Sequence, residues 1–107
     1  MRTVYVSIGN SDDKLTQQEW YAFANSVDSR LRVAADPMHG AWYSLANAPW
    51  QNACWAFDIA ERDIVPMQAE LSRMAGHWRQ DSIAWAEATT TFLEGTLEAR
   101  QQRAAVR

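Results

Sequence analysis

The spacing of apolar residues switches repeatedly between two and 3.6 along this chain, and that succession restricts the fold more than any single motif. Residues 3–8 (TVYVSI) set Val4, Val6 and Ile8 against Tyr5 and Ser7, the alternation of a half-buried strand. Gly9 to Asp13 is a cluster of turn formers and reads as a loop. Thr16 then stands three residues before Glu19, the capping-box pattern. Trp20, Phe23, Ala24, Val27 and Leu31 follow at helical spacing, so a first helix is expected over 17–33.

Residues 39–45 (HGAWYSL) predict a second strand, with Trp42 and Tyr43 on opposite faces. Asn47-Ala48-Pro49 is a turn signal. Ala53, Trp55, Phe57 and Ile59 alternate with Cys54, Ala56 and Asp58, a third strand that forms a hairpin with the second. Asp63 is the expected N-cap of a second helix over 64–76, with Pro66 in its first turn. Met67, Leu71, Met74, Ala75 and Trp78 form its apolar stripe. Residues 82–92 predict a fourth strand, because Thr89-Thr90-Thr91-Phe92 favours extended chain.

Strand, helix, strand, strand, helix, strand is the split βαβ, or ferredoxin-like, order of an α+β protein. It predicts a four-stranded antiparallel sheet in the order 4-1-3-2, with two helices on one face. A single domain is expected over 1–95, followed by a tail or short helix over 96–107. The length of 107 residues suits one core, and no apolar run is long enough to span a membrane. A net charge of −3 argues against a duplex nucleic-acid partner. Cys54 is the single cysteine, so no internal disulfide is expected. The start of the chain lacks a charged-then-apolar pattern, so no secretory signal is expected and the location expected is cytoplasmic.

This topology brings three loops to one end of the sheet: 9–15, 46–51 and the exit of the second helix, 76–82. Loops on a rigid scaffold are where binding groups tend to lie. The first offers Asn10, Ser11, Asp12, Asp13 and Lys14, suited to a cation, to ribose hydroxyls or, through Lys14, to phosphate. It also reads as a solvated turn feeding a capped helix. The hairpin offers Asn47, Trp50, Gln51 and Asn52. Trp50 beside Pro49 would stack on a planar ligand, pack on a partner or cover the core edge. The third offers His77, Arg79, Gln80, Asp81 and Ser82. Arg79 is a fork donor for carboxylate or phosphate, or the partner of a nearby aspartate. With one cysteine, and His39 far from His77, neither a zinc site nor another cofactor is expected. No nucleophile–base–orienter set is spelled out by spacing.

The strings IGNSDDKLTQQEW (8–20), HGAWYS (39–44), PWQNACW (49–55) and RQDSIAWAE (79–87) resemble a set of small uncharacterised proteins of actinobacteria and their phages. The resemblance spans most of the chain apart from the tail. It implies a phage or mobile-element setting, in which small proteins commonly inhibit or sequester host components, and it carries over no catalytic residue.

Three functions follow as expectations. The first is a non-enzymatic module that holds a small polar, nucleotide-like ligand at the loop end and sequesters a host signal. There Asn10, Asp12 and Asp13 would take ribose hydroxyls, Lys14 and Arg79 phosphate, and Trp50 a base. The second is a protein–protein interaction module or inhibitor, with the bare sheet face favouring a homodimer. The third is a metal-dependent phosphodiester hydrolase built on Asp12 and Asp13. Of six tryptophans, only Trp50 is expected at a loop tip; Trp20, Trp42, Trp55, Trp78 and Trp85 are expected to pack the core or sheet.

Overall fold

The computed structural model describes residues 1–10, 14–46 and 48–106, with side chains through 102. The chain is α+β. Its elements are β1 (Arg2–Gly9), α1 (Gln17–Ala34), β2 (Met38–Tyr43), β3 (Asn52–Ile59), α2 (Glu61–His77), β4 (Ala84–Ala88) and α3 (Leu97–Val106). The four strands form one sheet in the order β2-β3-β1-β4, which from its other edge reads β4-β1-β3-β2. Each neighbouring pair is antiparallel.

Alternation decides which face is buried. Val4, Val6 and Ile8 of β1 lie opposite Phe57, Trp55 and Ala53 of β3, and these residues share one face. Against that face pack Trp20, Phe23, Val27 and Leu31 of α1, with Ile64, Met67, Leu71 and Met74 of α2. Trp55, Phe23 and Phe57 are fully buried and form the centre. Trp55 also donates its indole N–H to Asp28 on α1 at 2.9 Å, so this core residue keeps its polar atom satisfied. On the opposite face stand Tyr5 and Trp42, 42% and 56% exposed, and with Thr90 and Phe92 they line a cleft of about 510 Å³.

The capping box forms as its spacing requires. Glu19 N–H donates to Thr16 Oγ1 at 3.1 Å, and Thr16 N–H donates to Glu19 Oε1 at 3.0 Å. Elsewhere the element ends differ from expectation. Helix α2 starts at Glu61 rather than 64, with Ala60 at the N-cap position and no side-chain cap. Asp63 therefore lies inside the first turn, where its negative charge still favours the helix dipole. Pro66 falls in the second turn, not the first, and leaves the carbonyl of Arg62 without its usual intrahelical donor. Strand β4 is shorter than the expected 82–92. Ala88 already faces Thr3, so β1 has almost no chain left for Thr89 and beyond to pair with. Of the two places expected for Trp42, core or sheet, it takes the sheet: it lies over Gly40 on the face away from the helices, because it shares the parity of Gly40 and faces Cys54.

Candidate functional site

The three predicted loops do meet at one end of the sheet. Asn10 N–H donates to the Gln51 carbonyl at 2.8 Å, which joins the first loop to the hairpin. Lys14 Nζ lies 3.5 Å from Asp81 Oδ1, which joins the first loop to the α2 exit. Ser11, Asp12, Asp13 and Asn47 lie outside the described residues.

Two of the candidates are used inside the protein. Asn10 is 3% exposed and Gln51 4%. Asn10 donates to the Leu15 carbonyl at 3.0 Å, accepts from Leu15 N–H at 3.1 Å and donates to Gln51 Oε1 at 3.3 Å. Gln51 also exchanges amide hydrogen bonds with Gln17, at 2.7 and 3.1 Å. Buried amides need such partners, and here they fasten the loop to the hairpin. With little surface, Asn10 and Gln51 offer little to a ligand. Trp50 is 69% exposed at the hairpin tip, and Asn52 donates to its carbonyl at 3.3 Å.

The exit of α2 is the chemically richer part. Trp78 is the C-cap. Gln80 N–H donates to the Ala75 carbonyl at 2.8 Å and Arg79 N–H to the Gly76 carbonyl at 3.1 Å, a Schellman closure. That closure needs a left-handed residue after the cap, usually glycine. Here it is Arg79, with φ 57°. Its guanidinium turns back to Glu19 Oε2 at 2.7 Å and to the Lys14 carbonyl at 3.4 Å. The hydrogen bond from Arg79, helped by that from Thr16 N–H, holds the Glu19 carboxyl below its ordinary pKa.

Two clefts flank residues 80–82. One, of about 360 Å³, is bounded by Ser7, Ile8, Gly9 and Ala84. The other, of about 470 Å³, lies between α2 and β4 over Gln68, Leu71, Ser72, Ala75, Gly76, Ile83 and Trp85. Gln80, Asp81 and Ser82 wall both. Trp85 lines the second cleft, and its Nε1 is buried with no acceptor among the described residues. Neither cleft takes in Trp50 or Asn52. A larger cleft of about 640 Å³ runs between α1 and α2. Its charged groups satisfy one another: Glu70 holds Arg73 at 2.6 Å and Arg30 at 3.7 Å.

Sequence reasoning thus found Lys14, Arg79, Gln80, Asp81 and Ser82 at one place, and missed Trp85 and Glu19. A strand tryptophan reads as packing, and a capping-box glutamate reads as already occupied. Among the described residues no cluster of three or more His, Cys, Asp or Glu side chains is placed to hold a metal ion. No helix among them is long and apolar enough to cross a membrane. No known protein-family model matches the chain, and no curated protein sequence matches it.

Proposed function

We propose that the chain is a non-enzymatic binding module on a ferredoxin-like frame, holding a small polar, nucleotide-like ligand in the cleft between α2 and β4. The succession of elements and the antiparallel strand order support that reading of the frame. The observation that carries the ligand reading is Trp85, which lines a cleft walled by Gln80, Asp81 and Ser82 and whose Nε1 is a buried donor without an acceptor among the described residues. Buried donors are nearly always satisfied, so an unsatisfied one on a cleft-lining residue favours a ligand acceptor oxygen that a small opening of the cleft wall would bring to it. The volume of about 470 Å³ suits a mononucleotide-sized molecule. Arg79 and Lys14 at the adjoining loops supply positive charge for phosphate, and the Ser82 hydroxyl and Gln80 amide add neutral contacts. Sequestration of a host signal is the biological role this reading serves; its support is the resemblance to phage and actinobacterial proteins.

The test is calorimetric titration of the full chain with nucleoside mono- and diphosphates and with cyclic dinucleotides, repeated on Trp85→Phe. One of these classes is expected to bind, and the variant, which keeps an aromatic ring but lacks the N–H, to bind it roughly tenfold more weakly. No heat and no melting-point shift with any of the three classes overturns the proposal.

A further inference from the structure

Strand register lays out the cleft of about 510 Å³ on the sheet face away from the helices. Its floor is Ala56 in the middle of β3, which lies opposite Tyr5 of β1 on one side and Gly40 of β2 on the other. The glycine lets the ring of Trp42 lean back over it: a Cβ built on Gly40 would meet that ring at 2.9 Å. Tyr5 and Trp42 therefore form walls on the two strands that flank β3. Neighbouring strands lie about 4.8 Å apart, so the walls rise about 10 Å from each other over a floor of one methyl group. Phe92, from the segment after β4, borders the same space and is 88% exposed. Asp58 closes the end away from the three loops. Thr3 Oγ1 donates to Asp58 Oδ1 at 2.7 Å, and His39 Nε2 lies 3.0 Å from the same oxygen, so Oδ2 stays outside both contacts.

We infer that this cleft binds an alkylated ammonium group, of the kind carried by choline or by a methylated lysine, among Tyr5, Trp42 and Phe92, with Asp58 as its counter-ion. A cation is attracted to an aromatic face within about 6 Å of the ring centroid, and midway between walls about 10 Å apart it lies within reach of both. A fully methylated nitrogen has no N–H donor, so it enters an apolar cleft without leaving a hydrogen bond unmade. Charge selects this class of ligand. Asp58 is the one carboxylate among the lining residues, and neither lysine nor arginine lines the cleft. Arg2, at the same end of the sheet, is held by Glu61 and Glu87 at 2.6 and 3.0 Å. A row of exposed rings also suits stacked bases, but strand binding needs a positive groove for the phosphates, which these residues do not form. A phosphate-bearing ligand of the kind proposed for the cleft of Trp85 finds no lysine or arginine here, so the two clefts take ligands of opposite charge.

The test is titration of the full chain with choline and with N-acetyl-trimethyllysine amide, followed by chemical-shift changes of the β1, β2 and β3 amides in NMR. The control is dimethylbutanol, the uncharged carbon isostere of choline. At least one ammonium probe is expected to bind with a Kd below about 10 mM, and the isostere at least about fivefold more weakly. Choline binding alone supports a free small molecule as the source of the group, and binding of the lysine probe alone a modified protein. Trp42→Leu, Phe92→Leu and Asp58→Asn are each expected to weaken binding about fivefold with an unchanged far-ultraviolet circular dichroism spectrum. Trp42 and Phe92 sit on exposed surface, so if Asp58→Asn loses the fold those two variants decide. No saturable shift with either ammonium probe up to about 50 mM overturns the inference. So does an isostere that binds as well as choline, or binding that the folded variants leave unchanged.

Discussion

Arg79 and Glu19 join the end of one helix to the start of the other: the guanidinium of a left-handed residue that closes α2 bonds, at 2.7 Å, the carboxylate that caps α1. A glycine at that backbone position would relieve strain of about 1 kcal/mol. An exposed ion pair offsets an amount of the same order. Arg79→Gly is therefore expected to leave unfolding stability within about 1 kcal/mol of wild type in urea denaturation. In the same variant the Glu19 carboxyl, having lost its largest stabilising partner, titrates at higher pH by NMR. An unmoved Glu19 titration would show that the pair does not persist in solution.

Gly76 gives a prediction in which stability and binding part. It lies in the last turn of α2, and a Cβ there meets nothing within 4 Å. Gly76→Ala is expected to raise stability by about 0.5–1 kcal/mol, because alanine loses less backbone entropy in a helix. Gly76 also lines the cleft with Trp85. The stabilised variant is expected to bind the ligand of that cleft more weakly by calorimetry. Unchanged affinity would place the ligand elsewhere.

The buried amides at the loop end predict a loss of stability on substitution. Asn10→Ala removes the partner of Leu15 N–H, of the Leu15 carbonyl and of one contact to Gln51. A cost of about 2–3 kcal/mol is expected. Asn10→Asp should cost at least as much, since it sets an oxygen where the amide now donates. Both are checked by the urea midpoint; a change below about 0.5 kcal/mol would show that the network contributes little.

Acid sensitivity follows from Asp28. Desolvation raises its pKa, but hydrogen bonds from Arg32, Trp55 and Tyr43 outweigh that and hold it below the ordinary value. A carboxyl depressed in the folded state contributes stability that is fully present above its unfolded pKa of about 3.9 and is lost as pH falls through the folded value. The gap in urea midpoint between wild type and Asp28→Asn is therefore expected to hold steady from neutral pH to about pH 5 and to close below about pH 4. Glu19, Asp58 and Glu70 are depressed as well and steepen the acid loss of the wild type. A gap that persists at the acid end would count against Asp28 as an ionised anchor.

Where sequence signals are local, they were readable. The Thr16–Glu19 box marks the start of α1 because both partners lie within one turn. The alternation of β1 and β3 marks the buried face because a one-residue slip would expose it. Other features depend on distant chain. The start of α2 has no side-chain cap, so Asp63 drew attention two residues inside the helix. The end of β4 is set by where β1 begins, which lies more than eighty residues away. Trp42 counts as an apolar strand residue in any pattern, and its exposure follows only from no helix crossing that face. At the candidate site, polarity singled out residues 79–82, but it could not separate the amides of Asn10 and Gln51, spent on each other, from groups facing a cleft. It also could not show that the Trp85 N–H lacks a partner, since satisfaction is a property of neighbours.

The position of β1 bears on how the molecule comes into being. This strand is made before the other three, yet it lies inside the sheet, with β3 on one side and β4 on the other. Until Ala84–Ala88 has left the ribosome, one whole edge of β1 has no partner. A translating ribosome adds about 5–20 residues per second, so that edge stays open for several seconds in each round of synthesis. During that interval Val4 and Val6 rely on the β3 hairpin and α1 for cover, and a chaperone or a sister chain has the same opportunity to pair with the edge as β4 later does.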